Sequence, residues 1–175
     1  MQLKKAVIVV GPSVEDTEFA YPFYRLQEEK FIVDTASNGG IKVTGKYGLP
    51  IDVNVDIKQL NAADYDLVIV PGGLESPDRL RQIPQLLSFL REMHESRKVI
   101  GSICHGPWVL ISAKIVQNKK MTIYVGCKDD LINAGANYID APVVSDDNIV
   151  TSPHFRYNAV WMREVIDVYN KLNFI

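Results

Sequence analysis

The sequence predicts an α/β fold with a mainly parallel central sheet, because short apolar runs rich in β-branched residues alternate with longer amphipathic stretches. The runs are almost entirely apolar, which is typical of strands that helices cover on both faces. No repeat, linker or low-complexity tract interrupts the 175 residues, so we expect one domain, 1–175. The predicted strands lie at 6–10, 31–37, 66–70, 99–103 and 121–125.

The intervening stretches show helical periodicity. Phe19, Phe23 and Leu26 recur at helical spacing within 15–30, and acidic residues occupy its first turn, where the helix dipole favours them. A glycine-rich stretch, 38–57, alternates apolar and polar residues and predicts a hairpin-like excursion. Further helices are predicted from Pro84, over 106–116, over 128–134 and along 160–172, and a second hairpin is predicted to turn at 145–148.

Composition and charge exclude several classes of function. The net charge is -2 and the pI is about 5.9, so the chain lacks the basic face that nucleic-acid backbones require. No stretch approaches the roughly 18 apolar residues of a membrane span. Cys104 and Cys127 form neither a disulfide framework nor a zinc motif. We therefore expect a protein of the reducing cytoplasm that uses no metal and no cofactor.

The carboxyl ends of the predicted strands carry most of the reactive residues. Ligands of open parallel sheets bind at that edge. The segments there supply a thiol, two imidazoles, a carboxylate, a phenol and several glycines, and this concentration predicts a reaction site centred on Cys104. The segments are 11–15, 72–73, 104–106, 124–126 and 151–154.

Cys104 stands at a predicted strand-to-helix turn between Ser102 and Gly106, whose small side chains suit the tight turn that exposes a nucleophile. The helix N-terminus that follows favours the thiolate. His105 is placed to act as a general base or to return a proton to the substrate. The alternatives are a buried, inert Cys104 and a His105 that only caps the helix.

Glu15 follows the first strand and can lean over the same edge. Next to a thiolate, burial and charge repulsion raise the pKa of a carboxyl, so a protonated Glu15 would donate a hydrogen bond to the sulfur. The alternative is a helix-start acid that the dipole alone favours. Gly73 and the His105 N–H are candidate oxyanion donors, and Tyr124 and His154 are candidates for substrate contact.

Four motifs carry a family resemblance that covers nearly the whole chain. They are Val-Glu-Asp-Thr-Glu at 14–18, Val-Pro-Gly-Gly at 70–73, Ser-Ile-Cys-His-Gly-Pro at 102–107, and Lys-Asp-Asp followed by Asn-Ala-Gly within 128–135. In these residues the chain resembles the PfpI-type intracellular proteases of the ThiJ/PfpI superfamily. The resemblance implies a flavodoxin-like three-layer sandwich related to class I glutamine amidotransferase domains, assembled as a dimer or a hexamer.

The resemblance also implies roles for individual residues. Cys104 is the nucleophile, His105 its partner, and Glu15 the acid that touches the thiol. In hexameric relatives a third acid comes from a neighbouring subunit, just after the Pro-Gly-Gly turn. Here Asp78 is the candidate, and Glu75 competes with it because this loop is one residue longer than in the protease prototypes. The family's Thr-x-Tyr-x-Gly motif is matched at 122–126, which includes Tyr124.

The shared chemistry of such enzymes is attack of a thiolate on a carbonyl carbon. Our first hypothesis is an enzyme that converts small reactive carbonyls, free 2-oxoaldehydes or their protein adducts, to 2-hydroxy acids by glyoxalase or deglycase chemistry. The second is a peptidase for small or unfolded peptides, with Cys104, His105 and Asp78 as its triad. A non-enzymatic alternative is a stress-responsive redox sensor or holdase in which Glu15 stabilises a sulfinic acid at Cys104.

Overall fold

Strands and helices alternate along residues 3–173, the part of the chain that the computed structural model describes. The strands are β1 (Lys4–Val9), β2 (Phe31–Ser37), β3 (Val43–Thr44), β4 (Pro50–Ile51), β5 (Val55–Asp56), β6 (Leu67–Val70), β7 (Val99–Ile103), β8 (Lys120–Met121), β9 (Asn137–Tyr138), β10 (Val144–Asp146) and β11 (Ile149–Ser152). The α-helices are α1 (Asp16–Glu28), α2 (Ser76–Leu80), α3 (Pro84–Glu95), α4 (Pro107–Ser112), α5 (Lys128–Asn133) and α6 (Asn158–Asn173). Within residues 3–173, none of the helices is both long and apolar enough to span a membrane.

The central sheet of residues 3–173 has seven strands in the order β10-β11-β7-β6-β1-β2-β5. β10 runs antiparallel to β11, and the other neighbours are parallel. β1 lies between β2 and β6, so the direction in which the chain adds strands reverses at β1. In open parallel sheets the crevice at such a switch point is the usual ligand site. The loops after β1 and β6 are therefore placed to form one.

Helices cover both faces of this sheet, because alternate residues of each strand face opposite layers. In β1, Val7 and Val9 pack in the layer of α3, α4 and α5, whereas Ala6 and Ile8 pack in the layer of α1 and α6. Trp161 of α6 is fully buried in that second layer. The predicted α/β three-layer sandwich is thus confirmed.

Two predicted elements differ in the structure. The stretch 121–125 adds no strand to the central sheet: β8 pairs with β9 in a separate two-stranded sheet, and the chain then turns. The backbone N–H of Thr122 donates to Thr151 Oγ1 at 2.9 Å instead of to a ladder partner. The helix predicted over 106–116 ends at Ser112, and Lys114 then has a φ of 61°, which a helix cannot contain.

The excursion 38–57 contains the predicted hairpin, in which β3 and β4 pair antiparallel. β5 then returns to the edge of the central sheet beside β2. The carboxylate of Asp16 at the start of α1 accepts the backbone N–H groups of Tyr47 and Leu49, each at 2.9 Å. The N–H of Lys46 donates to the Val14 carbonyl at 2.8 Å. These bonds hold the hairpin tip, and with it Lys46, against the loop after β1.

A buried ionic network joins β1, β2 and the segment before β6. Asp34 lies 2.8 Å from Lys5 Nζ and accepts hydrogen bonds of 2.7 Å from both the Tyr65 hydroxyl and the Asn54 amide. Burial alone raises the pKa of Asp34, but these donors together outweigh burial and hold its pKa below the usual value. The network therefore stabilises the charged form of Asp34 in the fold.

We expect Asp34→Asn to lower the free energy of unfolding by about 1–3 kcal/mol at pH 7, because it leaves buried donors poorly paired. Asp52→Asn is the matched control, because the Lys42–Asp52 distance is also 2.8 Å but the Asp52 side chain is 91% exposed. We expect this variant to lose less than about 0.5 kcal/mol of unfolding free energy. Urea unfolding measures both.

The pH dependence follows from the depressed folded-state pKa of Asp34. Its contribution is fully present above the unfolded-state pKa of about 4 and is lost as the pH falls through the folded-state value. The difference between wild type and Asp34→Asn should therefore shrink as the pH falls below about 4. Equal losses for Asp34→Asn and Asp52→Asn at pH 7 would contradict the structural role of the network.

Candidate active site around Cys104

Cys104 occupies a strained turn between β7 and α4. Its φ of 60° lies in the left-handed region, which is costly for a residue other than glycine. Two backbone hydrogen bonds fix it there: Cys104 N donates to the Ser152 carbonyl at 2.9 Å, and Tyr124 N donates to the Cys104 carbonyl at 3.0 Å. The turn presents the thiol at the carboxyl edge of the sheet, as a nucleophile turn does.

Two glycines make room for this turn. A Cβ on Gly106 would lie 2.6 Å from Ser102 Oγ, so α4 can begin directly above the sheet only with glycine there. A Cβ on Gly72 would lie 2.8 Å from both Cys104 Cβ and Glu18 Oε2. The loop after β6 therefore approaches the thiol closely because residue 72 has no side chain.

The thiol of Cys104 is buried among polar groups, and 9% of the residue is exposed. The backbone N–H groups of His105 and Gly73 donate to the sulfur, and His105 Nδ1 lies 3.2 Å from it. Burial raises the pKa of the thiol above its usual value, the charge of Glu18 raises it further, and the two N–H groups lower it. The same N–H groups are those that the sequence predicts as oxyanion donors.

Glu18 of α1 is the carboxyl that faces the thiol. It is fully buried, its Oε2 accepts the Gly72 N–H at 2.7 Å, and its Oε1 makes no hydrogen bond within residues 3–173. The carboxyl also interacts with the thiol of Cys104 as a hydrogen-bond partner. Burial raises the pKa of Glu18 to about 8, the Gly72 N–H offsets part of the rise, and the charge of Glu15 adds to it. Cys104 and Glu18 form a coupled pair that retains a proton at neutral pH.

The prediction that Glu15 touches the thiol is wrong, because Glu15 precedes the first turn of α1 and has other partners. Glu15 Oε2 lies 3.7 Å from Lys46 Nζ, and Oε1 accepts a hydrogen bond of 3.4 Å from Thr17 Oγ1. One helical turn further on, Glu18 projects toward the sheet. The two acids therefore differ in position: Glu18 lies against the sulfur, and Glu15 lies further out, against an ammonium group.

Glu18 and Lys46 are site residues that cannot be predicted from the segments at the strand ends. Glu18 shares the buried stripe of α1 with Pro22 and Leu26, at a spacing of four residues. An acid on such an apolar stripe is itself a signal of function, because burying an unpaired carboxylate is costly. Lys46 lies on the β3–β4 hairpin, and no local sequence pattern connects it with Cys104.

His105 is half-buried between two aromatic rings. It stacks on Tyr124 with a centroid distance of 4.7 Å and meets Trp108 edge-on at 5.2 Å. Burial, and to a smaller extent the charge of Lys46, lowers the pKa of His105 below its usual value. The imidazole is therefore neutral at pH 7, and its Nδ1 is able to accept the thiol proton.

A cavity of about 220 Å³, here called the thiol pocket, opens in front of the sulfur. A larger cavity of about 720 Å³, between the loop after β1 and α2, does not include Cys104 in its lining. Among residues 3–173, no group of three or more His, Cys, Asp or Glu side chains is arranged to hold a metal ion.

The thiol pocket brings together six of the predicted site residues with three others. Its lining is Cys104, His105, Glu15, Gly73, Tyr124 and His154, with Lys46, Leu74 and Phe155.

Asp78 and Glu75 lie at α2, and the thiol pocket formed by residues 3–173 does not include them. Both are exposed, and Glu75 Oε2 accepts a hydrogen bond of 3.3 Å from Arg79 Nε. In its own chain neither acid completes a triad with Cys104 and His105. The approach of either acid to the thiol of a neighbouring subunit stays a prediction.

We expect Glu18→Gln to lower the midpoint pH of Cys104 alkylation by iodoacetamide by about one unit or more, because it removes the charge that raises the thiol pKa. Mass spectrometry of the Cys104 peptide measures this without interference from Cys127. Glu15→Gln is the matched control, and the outer position of Glu15 predicts a shift below about half a unit. A larger shift for Glu15→Gln than for Glu18→Gln would return the role of thiol-facing acid to Glu15.

Comparison with known proteins relates the chain to one family. Residues 4–168 match the DJ-1/PfpI family. Deglycase PH1704 of Pyrococcus horikoshii is 39% identical over 162 residues, which cover 93% of this chain and 97% of the relative. The putative cysteine protease YraA of Bacillus subtilis is 39% identical over 150 residues, or 85% of this chain and 88% of the relative.

Solved structures show the same fold. A two-domain protein of Anabaena variabilis, with DJ-1/ThiJ/PfpI-like and ferritin-like domains, superposes with a TM-score of 0.91 at 32% identity. The match covers 94% of this chain and 47% of that one. DJ-1 of Schizosaccharomyces pombe superposes with a TM-score of 0.85 at 23% identity, over 98% of this chain and 99% of the other. From the family match and the identities with its members, this chain belongs to the DJ-1/PfpI family.

Proposed function

We propose that this protein is a cysteine-dependent enzyme that converts 2-oxoaldehydes, free or as protein adducts, to 2-hydroxy acids without a cofactor. The observation that carries the proposal is the Cys104–Glu18 pair, in which the buried Glu18 faces the thiol and Cys104 lines the thiol pocket. A nucleophile and a carboxyl that holds a proton near neutral pH are the two groups that carbonyl addition and proton transfer need. The deglycase names of several relatives support the same substrate class.

The first step is addition of the sulfur to the aldehyde carbon, C1. Cys104 gives its proton to Glu18 or to the neutral His105 Nδ1, the S–C1 bond forms, and the carbonyl electron pair moves to the oxygen. The N–H groups of Gly73 and His105 stand beside the sulfur, where they stabilise the developing oxyanion. Return of the proton to that oxygen gives a neutral hemithioacetal.

The second step moves hydrogen from C1 to C2. A base removes the C1 proton, the ketone oxygen on C2 gains one, and the enediol then takes a proton at C2 and loses one from the oxygen on C1. The product is a thioester of the 2-hydroxy acid. C1 is oxidised as C2 is reduced, so no external oxidant is needed. Glu18 suits this transfer because a pKa of about 8 lets it give and take protons near neutral pH. Water then cleaves the thioester.

The size of the thiol pocket favours a small substrate. Its volume of about 220 Å³ equals that of about seven liquid waters, which accommodates a three-carbon aldehyde. The Lys46 ammonium on its wall suits the carboxylate that the product acquires. A peptide would need an extended groove on both sides of the sulfur.

A second candidate is a cysteine peptidase, which the name of the YraA relative favours. The 3.2 Å contact between Cys104 Sγ and His105 Nδ1 and the adjacent N–H donors would serve acyl transfer as well. Cleavage of fluorogenic peptides, assayed beside lactate formation from methylglyoxal, separates the two activities. Faster turnover of peptides than of methylglyoxal would favour the peptidase.

We expect Cys104→Ala to abolish lactate formation from methylglyoxal and Glu18→Gln to lower kcat by about 10²–10⁴, since the first lacks the nucleophile and the second the proton carrier. Cys127→Ala is the control, because Cys127 is buried in the core outside the thiol pocket and should leave turnover unchanged. Circular dichroism checks that each variant is folded. Undiminished turnover in Cys104→Ala would defeat the proposal, and protection against aggregation by that variant would favour a holdase.

The turnover of methylglyoxal should also depend on pH. Loss of one proton from the Cys104–Glu18 pair creates the reactive anion, so kcat/KM for methylglyoxal should rise with pH through about 8, the pKa of Glu18. His105 contributes no rise in this range, because its pKa is lowered and it is already neutral. Stopped assays between pH 6 and 10 measure the profile. A flat or falling profile between pH 7 and 9 would contradict the assignment of this pair.

A further inference from the structure

We infer that a second cavity beside the thiol pocket binds the amino component of a carbonyl adduct and selects components that keep a positive charge. The inference rests on the proposed function and names part of its substrate. This flanking cavity has a volume of about 310 Å³ and shares Tyr124 and His154 with the thiol pocket. The residues of its lining that matter here are Tyr138, Asp140, Arg156 and Tyr157.

The dimensions of the two cavities suit an adduct in two parts. The thiol pocket has space for the three carbons derived from the aldehyde, whereas an arginine side chain attached to them needs further room. Because Tyr124 and His154 border both cavities, a molecule whose C1 lies at Cys104 Sγ can extend past them into the flanking cavity. The nitrogen that leaves C1 would lie near these two side chains.

The lining of the flanking cavity has the chemistry of a cation site. Asp140 contributes a carboxylate, and Tyr138 and Tyr157 contribute aromatic faces, which attract ammonium and guanidinium groups. Cations of this chain already use these rings: Lys128 Nζ lies 5.1 Å from the centroid of Tyr138, and the Arg156 guanidinium lies 5.7 Å from that of Tyr157. The rings therefore favour positive charge in their present orientation.

Arg156 would compete with a positively charged substrate for this site. It is exposed, its Nε donates to His154 Nδ1 at 3.4 Å, and its guanidinium lies over Tyr157. A guanidinium on the substrate would take the place of Arg156 or use the opposite ring face, with Asp140 as its counter-charge. Removal of Arg156 should therefore strengthen selection for a cationic component, whereas removal of the Asp140 charge should weaken it.

An arginine adduct requires one covalent step before the hemithioacetal, in which the C1–N bond is exchanged for a C1–S bond. In an arginine adduct the C1 of the 2-oxoaldehyde carries a hydroxyl and a C1–N bond. Cys104 Sγ forms its bond to C1, the C1–N bond breaks with its electron pair going to nitrogen, and the thiol proton ends on that nitrogen. The products are free arginine and the same hemithioacetal that the free aldehyde gives, so the later steps are unchanged and no redox partner is required.

The test compares two substrates in the full-length protein: purified methylglyoxal adducts of Nα-acetyl-arginine amide and free methylglyoxal. The readout is the ratio of their kcat/KM values for lactate formation. We expect Asp140→Asn to lower this ratio about threefold to fivefold and Arg156→Gln to raise it about twofold, the range for partly exposed charges. Asp129→Asn, an exposed acid on α5 outside the flanking cavity, is the matched control and should not change the ratio.

The adduct of N-acetyl-cysteine amide, which has no positive charge, separates charge recognition from a general loss of fit. Its ratio should not respond to Asp140→Asn. An equal fall for both adducts, or no fall for either, overturns the inference and leaves the proposed function intact if methylglyoxal still gives lactate. A rate with the arginine adduct that is limited by its spontaneous dissociation, and so does not rise with enzyme concentration, also overturns it.

A binding measurement decides the inference if wild type forms no lactate, the outcome that defeats the proposed function itself. Cys104→Ser protein is titrated with Nα-acetyl-arginine amide and with the citrulline analogue, its neutral isostere, while NMR follows the tyrosine rings. We expect the arginine amide to bind at least threefold more tightly and to shift the Tyr138 and Tyr157 signals. Equal affinity for the two amides, or shifts elsewhere only, overturns the inference.

Discussion

The left-handed backbone of Cys104 fixes the sulfur at one place above the sheet edge, and the neighbouring loops are built around that place. The loop after β8 and the last residue of β11 bond to the Cys104 backbone, the loop after β6 brings Gly72 and Gly73 against the side chain, and α1 supplies Glu18. Such a turn is unfavourable for cysteine in isolation. Its energy is offset by packing and hydrogen bonds from four separate segments, so the reactive geometry is a property of the whole carboxyl edge.

Two buried acids of this chain show how surroundings decide between a structural and a chemical role. Asp34 has three donors around it, stays charged, and its lowered pKa stabilises the fold at neutral pH. Glu18 has one backbone N–H at Oε2, and its pKa is raised to about 8. A raised pKa means that ionised Glu18 is less favourable in the folded than in the unfolded chain as the pH rises above its ordinary value. The proposed chemistry makes use of this carboxyl, because its proton can move to and from the neighbouring thiol.

The sequence predicts the sheet well and the site in part, for physical reasons. Apolar runs such as 31–37 and 99–103 match β2 and β7 because burial on both faces leaves a strong local pattern. Cys104, His105, Gly73, Tyr124 and His154 are found together because strand ends share one edge. The assignment of the thiol-facing acid to Glu15 fails because the position of an acid on α1 depends on the rotation of the helix. That rotation appears only in the apolar stripe that Glu18 shares with Pro22 and Leu26. The position of Lys46 at the site cannot be predicted from the sequence, because tertiary hydrogen bonds to Asp16 and Val14 hold its hairpin in place.

The relatives of this chain carry names as different as deglycase and cysteine protease. In the proposed reaction the sulfur, the two N–H donors and the Glu18 proton act on a carbonyl carbon and its oxygen, which an aldehyde and an amide have in common. Discrimination must then come from groups further out. In this chain these are the Glu15–Lys46 pair on one side of the sulfur and the aromatic, charged wall around Tyr138 and Asp140 on the other. These residues lie on loops and a hairpin, where sequence changes leave the sheet and the strained turn intact. In the proposed reaction, substitutions in these walls would therefore change the choice of substrate without moving the Cys104–Glu18 pair.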